Sequence, residues 1–247
     1  MKNVLVISPH LDDAAFSLGP LIAKFKDHAN ISVATPFTQS VSNPQGFALA
    51  CQLDKGLGEN IDYMALRRAE DFKWSRLLGA HSLHGALVEA PHRGYDDKKK
   101  LFGEVLSFDD AEKNLTIWFT RLVTTLKPLC IFSPLSIGHH VDHVVVLKSI
   151  CALQTEIPIF FYKDEPYASK HSDALPLELK PFITFSIHES ISSAQVNLAL
   201  KAVSLFESQI PFQFGNVHAM EATLRSAWKN DIHLISLKSS SPSSLIF

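Results

Sequence analysis

The feature that most narrows the fold is how the chain begins. Residues 4–7, Val-Leu-Val-Ile, form an unbroken apolar run closed by Ser8 and Pro9, and the apolar positions of residues 14–25 then recur at helical spacing. A strand with one wet face alternates apolar and polar side chains. A continuous run marks a strand covered on both faces, as in parallel sheets flanked by crossover helices. Strand followed by helix opens a βαβ unit, and the pattern continues. Residues 31–37, 81–88, 129–134, 157–162, 182–187 and 233–237 read as further strands. Residues 63–78, closed by Gly79, read as a helix, as do residues 109–126 before Pro128, 141–153 and 190–208. Residues 38–59, rich in Ser, Asn, Gln and Gly, read as a loop with a short helix, long enough to serve a function at a site mouth. Trp74, Trp118 and Trp228 are assigned to the core or its edge. The reading is one α/β domain over residues 1–247, with a Rossmann-like, mainly parallel sheet, helices on both faces, and a mobile Ser-rich tail near 238–247.

Composition excludes several classes. The chain has 247 residues, 46% hydrophobic and 19% charged, the balance of a domain able to bury a large core. Lys plus Arg is 23 against 25 for Asp plus Glu, a net charge of −2, so no broad basic face for nucleic acid is expected. The one basic run, residues 98–100, follows Asp96 and Asp97 and reads as a solvated loop or helix start. Cys51, Cys130 and Cys151 are odd in number and widely spaced, which suggests neither a disulfide framework nor a cysteine metal site. The apolar start is interrupted by Pro9, His10, Asp12 and Asp13 before a signal-peptide core could form, and no stretch approaches the ~20 apolar residues that span a bilayer. No membrane span and a cytoplasmic location are expected.

Two constellations carry chemistry. Ser8-Pro9-His10-Leu11-Asp12-Asp13-Ala14 follows the first predicted strand, where open α/β sheets bind ligands. One imidazole and two carboxylates there can supply metal ligands and a general base, although Asp12 or Asp13 could instead cap the next helix. Gly138-His139-His140-Val141-Asp142-His143 also lies between a predicted strand and helix. His140 and His143, three residues apart, share a side of a helical turn. A surface histidine cluster is the plainer alternative, since the chain has 12 histidines. A parallel sheet would bring both segments to one edge and build a three-ligand site with an open fourth position, as in catalytic zinc sites. Two histidines and a carboxylate suit zinc and ferrous iron alike.

At these residues the chain resembles the LmbE-like, PIG-L-type zinc-dependent de-N-acetylases. Their first signature, near His-Pro-Asp-Asp-Glu, is matched by His10-Leu11-Asp12-Asp13-Ala14, and their second, near His-Pro-Asp-His, by His140-Val141-Asp142-His143. Weaker similarities are Arg67-Arg68-Ala69-Glu70 with Leu78-Gly79, Ala90-Pro91-His92-Arg93, and the segments 162–168 and 201–209. The resemblance implies His10, Asp13 and His143 as zinc ligands (ferrous iron being the alternative), Asp12 as general base, His140 as acid or oxyanion stabiliser, and Asp142 as the group that orients it. It also implies hydrolysis of an N-acetyl or other N-acyl group on an amino sugar such as N-acetylglucosamine or on a sugar conjugate. Arg67 and Arg93 are candidates for binding substrate hydroxyls, phosphate or carboxylate; exposed helix and loop arginines are the plainer reading. Tyr95, Tyr162, Asp164 and Tyr167 are candidates for the sugar site, although packing is the plainer role for aromatics near strand ends. The departures are Leu11, Ala14 and Val141; Ala14 removes a carboxylate that the family often carries. Two alternatives stand beside this reading: an amide hydrolase of another acylated small molecule, and a catalytically silent sugar- or metal-binding protein of the same fold. The expected partner is a small N-acetylated sugar or glycoconjugate, not nucleic acid, with homo-oligomerisation left open.

Overall fold

A computed structural model describes residues 1–170, 183–229 and 231–237. The strands are β1 (Lys2–Ile7), β2 (Ala29–Phe37), β3 (Ala80–Leu87), β4 (Cys130–Pro134), β5 (Ile159–Tyr162), β6 (Ile183–Ser190) and β7 (Asp231–Leu237). The helices are α1 (Asp13–Phe25), α2 (Gly46–Leu53), α3 (Tyr63–Leu77), α4 (Lys98–Leu101), α5 (Ala111–Leu126), α6 (Val141–Cys151), α7 (Tyr167–Lys170), α8 (Ser193–Val203), α9 (Ile210–Phe214) and α10 (Val217–Ala227).

The strands form one sheet in the order β3-β2-β1-β4-β5-β7-β6. β1 to β5 run parallel, β7 runs antiparallel to β5, and β6 antiparallel to β7. This is the mainly parallel, Rossmann-like α/β sheet expected. β1 shows why its apolar run is continuous. Val4 and Val6 pack on one face with Phe16 of α1, Leu200 of α8 and Met220 of α10. Leu5 and Ile7 pack on the other with Phe119 of α5 and Val146 of α6. Trp74 and Trp228 are buried and Trp118 lies at a core edge.

Strand order reverses between β1 and β4, and in open α/β sheets the ligand crevice lies beyond the strand ends at such a reversal. The loops after β1 and β4 are the two segments that carry the His and Asp motifs.

The differences from the sequence reading have local causes. β1 and β2 each begin two residues earlier than their apolar runs, because Lys2 pairs with Ala29 and Asn3 with Asn30 in the ladder, the Asn30 side-chain amide also donating to Asn3 Oδ1 at 3.2 Å. α10 was not anticipated: only Met220 and Leu224 are buried along it, a stripe too narrow to register as periodic. α3 begins where the Asp62 side chain accepts the Ala65 N–H, and ends at Gly79, whose φ is +67°. The tail at 238–247 and residue 182 lie outside the described residues. Among the described residues no helix is long and apolar enough to cross a membrane.

At the β2–β3 edge the register shifts between Thr35 and Phe37, and Gly85 lies against the Pro36 backbone. A Cβ there would sit 2.7 Å from the Pro36 carbonyl oxygen and 2.8 Å from its Cα, so backbone must move to admit it. Gly85→Ala is expected to lower stability by about 1–3 kcal/mol in chemical denaturation; a change within ~0.5 kcal/mol, the range of neutral surface changes, would mean that the bulge is not what Gly85 permits.

Candidate active site

The loop after β1 is built by Ser8. Its N–H continues the ladder to the Ala34 carbonyl, its hydroxyl donates to the His10 carbonyl at 2.6 Å, and it accepts the Ala14 N–H at 2.9 Å. The His10 N–H donates to Asp13 Oδ2 at 2.7 Å. Asp12 stands at the N-cap of α1, yet its side chain makes no capping hydrogen bond. Oδ1 instead accepts from Arg67 at 2.8 Å. Helix capping therefore does not explain either carboxylate.

The loop after β4 turns through Ser136, Gly138 and His139, all at positive φ. Gly138 serves a close approach, since a Cβ there would lie 2.8 Å from the Tyr167 ring. His139 is exposed and takes no part in the site. His140 caps α6, with Nδ1 accepting the Asp142 N–H at 3.2 Å, while Asp142 and His143 fill its first turn.

These loops bring His10, Asp13 and His143 together, with one donor atom from each within 4.8 Å of the others. His10 Nδ1 and His143 Nε2 each lie 3.2 Å from Asp13 Oδ2. Both rings are held from behind. His10 Nε2 meets Asp142 Oδ2 at 3.0 Å, and His143 Nδ1 meets Asp164 Oδ1 at 2.6 Å. A carboxylate on the far nitrogen fixes ring orientation and tautomer and leaves the near nitrogen's lone pair for a metal. His143 Nε2 is buried without a hydrogen bond, an orphan that a metal ion would satisfy. A second donor set, His10, His140 and Asp142, also lies within 4.8 Å. It is less free, because Arg93 holds Asp142 Oδ1 at 2.8 Å and His140 Nδ1 takes a backbone N–H.

The electrostatics show a site short of positive charge. Burial opposes ionisation of Asp13, but the imidazoles of His143 and His10 hold it well below the usual carboxylate range. Burial likewise opposes charge on both histidines, yet Asp13 and Asp142 push His10 up to about 10, and Asp13 and Asp164 push His143 up to about 9. The buried carboxylates call for cations, and a divalent ion between the rings can replace the two protons. Burial lowers His140, with His10 and His143 adding to the effect, so its imidazole is neutral. Burial raises Asp12 against the pull of Arg67, with Asp13 adding to the rise.

The two arginines differ from their sequence reading. Neither is an exposed surface residue. Arg67 lines the cavity, bridging Asp12 and Glu89. Arg93 is absent from the residues lining that cavity. It is clamped by Asp109, by the Val88 carbonyl and by Asp142, so it faces the back of the cluster. Asp142 directs its carboxylate at His10, and only its backbone N–H at His140. Tyr95 and Tyr162 are packing residues with satisfied hydroxyls, donating to Asp109 and to the Ile7 carbonyl. Tyr167 does line the cavity, edge-on to His143. Sequence reasoning missed Glu89, and it named Asp164 for the sugar site, whereas the structure sets Asp164 behind His143 and outside the cavity lining; its place two residues beyond β5, at the same sheet edge as both motifs, is the signal for that role.

The cavity over the cluster has a volume of about 250 Å³. His10, Asp12, Asp13, His140 and Asp142 form its floor, and residues of α2, α4 and α9 its walls.

A fold and a donor cluster of this kind define a class, and comparison identifies the family. The family model described as PIG-L: GlcNAc-PI de-N-acetylase matches residues 5–153, and the chain belongs to this family. The chain is 29% identical over 179 residues to 2'-N-acetylparomamine deacetylase of Streptomyces fradiae, a match covering 71% of this chain and 61% of that relative's length. The zinc-inhibited form of a teicoplanin deacetylase superposes with a TM-score of 0.82 at 23% identity, covering 98% of this chain and all of the other. A 4-carboxy-2-hydroxymuconate hydratase from Pseudomonas putida shares the fold at a TM-score of 0.59 and 15% identity, covering 100% of this chain and 99% of the other. A shared fold therefore does not fix the reaction, which must be argued from the site.

Arg93 leaves a stability signature. Removing one partner of a buried ion pair strands the other charge, so Arg93→Met is expected to cost about 3–5 kcal/mol, measured by chemical denaturation. A loss below ~1 kcal/mol, typical of an exposed pair, would show that Asp142 does not depend on it.

Proposed function

We propose that the chain is a metal-dependent N-deacetylase, one catalytic domain over residues 1–247, that hydrolyses the N-acyl group of an amino sugar or sugar conjugate. The observation that carries this is the facing of His10 Nδ1 and His143 Nε2 across Asp13, each ring backed by a carboxylate, beside the unligated Asp12. The substrate class is supported by the relatives' names, a 2'-N-acetylparomamine deacetylase and a teicoplanin deacetylase.

His10, Asp13 and His143 would hold the ion. Zinc is the assignment, and the same donors suit ferrous iron. When bound, the ion supplies Lewis acidity, making water acidic enough to deprotonate near neutral pH and polarising the acyl carbonyl. Asp12 lines the cavity, with one oxygen held on Arg67, and takes the proton of the attacking water as general base. Neutral His140 accepts a backbone N–H at Nδ1, so its proton sits on Nε2, a donor for the oxyanion that develops on the carbonyl. Asp12 then returns its proton to the leaving amine as the C–N bond breaks, so water and amide become carboxylic acid and amine, which leave as carboxylate and ammonium once the acid gives up its proton. Asp142 and Asp164 hold the two ligand rings, and Arg93 holds Asp142. Arg67 opposes the rise that burial imposes on Asp12 and holds it in place, which leaves Arg67 less free to bind substrate than its charge alone suggests.

Protein purified without added metal is expected to carry close to one zinc or iron per chain by plasma mass spectrometry. His10→Ala and His143→Ala should each lose it; metal unaffected by both changes would overturn the shared site. Asp12→Asn should keep the metal while hydrolysis of N-acetylated amino sugars falls by about 10²–10⁴-fold, and hydrolysis confined to acylated amino acids would redirect the substrate assignment. Asp164→Asn should weaken metal affinity about 10–100-fold in chelator competition; unchanged affinity would remove Asp164 from the site.

A further inference from the structure

The deacetylase reading accounts for the floor of the cavity and leaves its outer wall unexplained. That wall carries two cations of a different kind from the arginines, Lys55 and Lys98. Arg67 is neutralised by Asp12 and Glu89, and Arg93 by Asp142 and Asp109. Lys55, just beyond α2, lines the same cavity, and among the described residues no carboxylate lies within ion-pair distance of its ammonium. Nζ donates to the Cys51 carbonyl at 2.9 Å and sits over the rings of Phe212, at 4.5 Å, and Tyr63, at 5.3 Å. One of its three N–H donors is thus used, and the aromatic faces take none of the others in a directional hydrogen bond. Burial lowers the Lys55 pKa, with Glu89 pulling the other way, and a bound anion would favour the charged form further. Lys98 of α4 lines the cavity as well. Phe47, Leu101, Phe102 and Tyr167 line the same cavity, Phe102 edge-on to His140 and Tyr167 edge-on to His143, apolar surface suited to the face of a sugar ring.

We propose that Lys55, aided by Lys98, receives an anionic group on the part of the substrate beyond the N-acylated sugar, a carboxylate or a phosphate monoester. This rests on the deacetylase reading for the position of the amide, which places the acyl group at the floor and the remainder of the molecule toward α2, α4 and α9. Cationic aglycones are correspondingly disfavoured. The segment 38–59, whose length alone suggested a role at a site mouth, supplies this selectivity through Lys55.

The test uses the metal-loaded protein and four N-acetylglucosaminides whose aglycones end in a carboxylate, a phosphate, a neutral hydroxyl or an ammonium group. The readout is the ratio of kcat/KM for each charged glycoside to that for the neutral one. One charge-assisted hydrogen bond in a partly buried site is expected to favour at least one anion about tenfold, mainly through KM, with the ammonium glycoside below the neutral one. Lys55→Met keeps the stem over the rings and removes the charge, and should collapse the ratio to within about twofold, while Lys55→Arg should retain most of it. The larger of the carboxylate and phosphate ratios identifies the anion. Equal ratios in the starting protein, or an anion preference that survives Lys55→Met, would overturn the proposal. Calorimetric binding of the same glycosides separates the two readings. Anion-selective binding that depends on Lys55 without turnover of any glycoside upholds the subsite and overturns the deacetylase reading. Binding indifferent to aglycone charge overturns the subsite whatever the turnover.

Discussion

Everything at the site depends on β1 being hydrogen-bonded on both sides, to β2 on one and β4 on the other. Because both neighbours are parallel to it, the carboxyl ends of β1 and β4 leave the sheet side by side. Their connections belong to opposite layers, α1 packing in one core and α5 and α6 in the other. The chain therefore parts above these two strands and opens a crevice there. His10 and His143, 133 positions apart in the sequence, meet only through this arrangement. The apolar run of β1 is what secures it. Polar residues at Val4 or Leu5 would wet one layer and remove the packing that holds the two loops in register.

Concentrating carboxylates in a buried place has a cost that the fold meets with graded partners. Asp13 faces two imidazoles, Asp142 is shared by His10, Arg93 and the Ala90 N–H, and Asp164 by His143 and the Ile137 N–H. Arginine suits the outer positions because its planar fork can serve two carboxylates at once and stays charged when buried. Arg67 does this for Asp12 and Glu89, and Arg93 for Asp142 and Asp109. The contacts that orient the His10 and His143 rings thus also keep the charges from standing alone.

The sequence made the alternation of strands and helices legible, and with it the parallel sheet, because core periodicity is local. It also made the two motifs legible, because each lies within a few residues of a strand end. Partnership was not legible. Arg67 and Arg93 looked like substrate ligands because a sequence shows a charge without its counter-charge, and Asp12, Glu89, Asp142 and Asp109 come from other elements. The pairing of Asp142 with His10 rather than His140 has the same origin: the other loop brings His10, 132 positions away in the sequence, to the carboxylate, whereas His140, two positions away, meets only the backbone N–H. Lys55 was invisible for the converse reason, since nothing in a polar loop distinguishes a lysine that finds a carboxylate from one that finds two aromatic rings.

Ala14 shows how one departure from the family signature is absorbed. It lies in the α1 core layer, buried against the β1 face, with its N–H given to Ser8 Oγ. A carboxylate at this position would enter an apolar layer and would have to reach back toward the loop for a partner. The site does not lack acid groups without it, because Asp142 backs His10 from the first turn of α6 and Asp164 backs His143 from beyond β5. The carboxylates that matter here are the ones set by the strand ends, so the first turn of α1 is free to serve the core, and it keeps only Asp13 for the cluster.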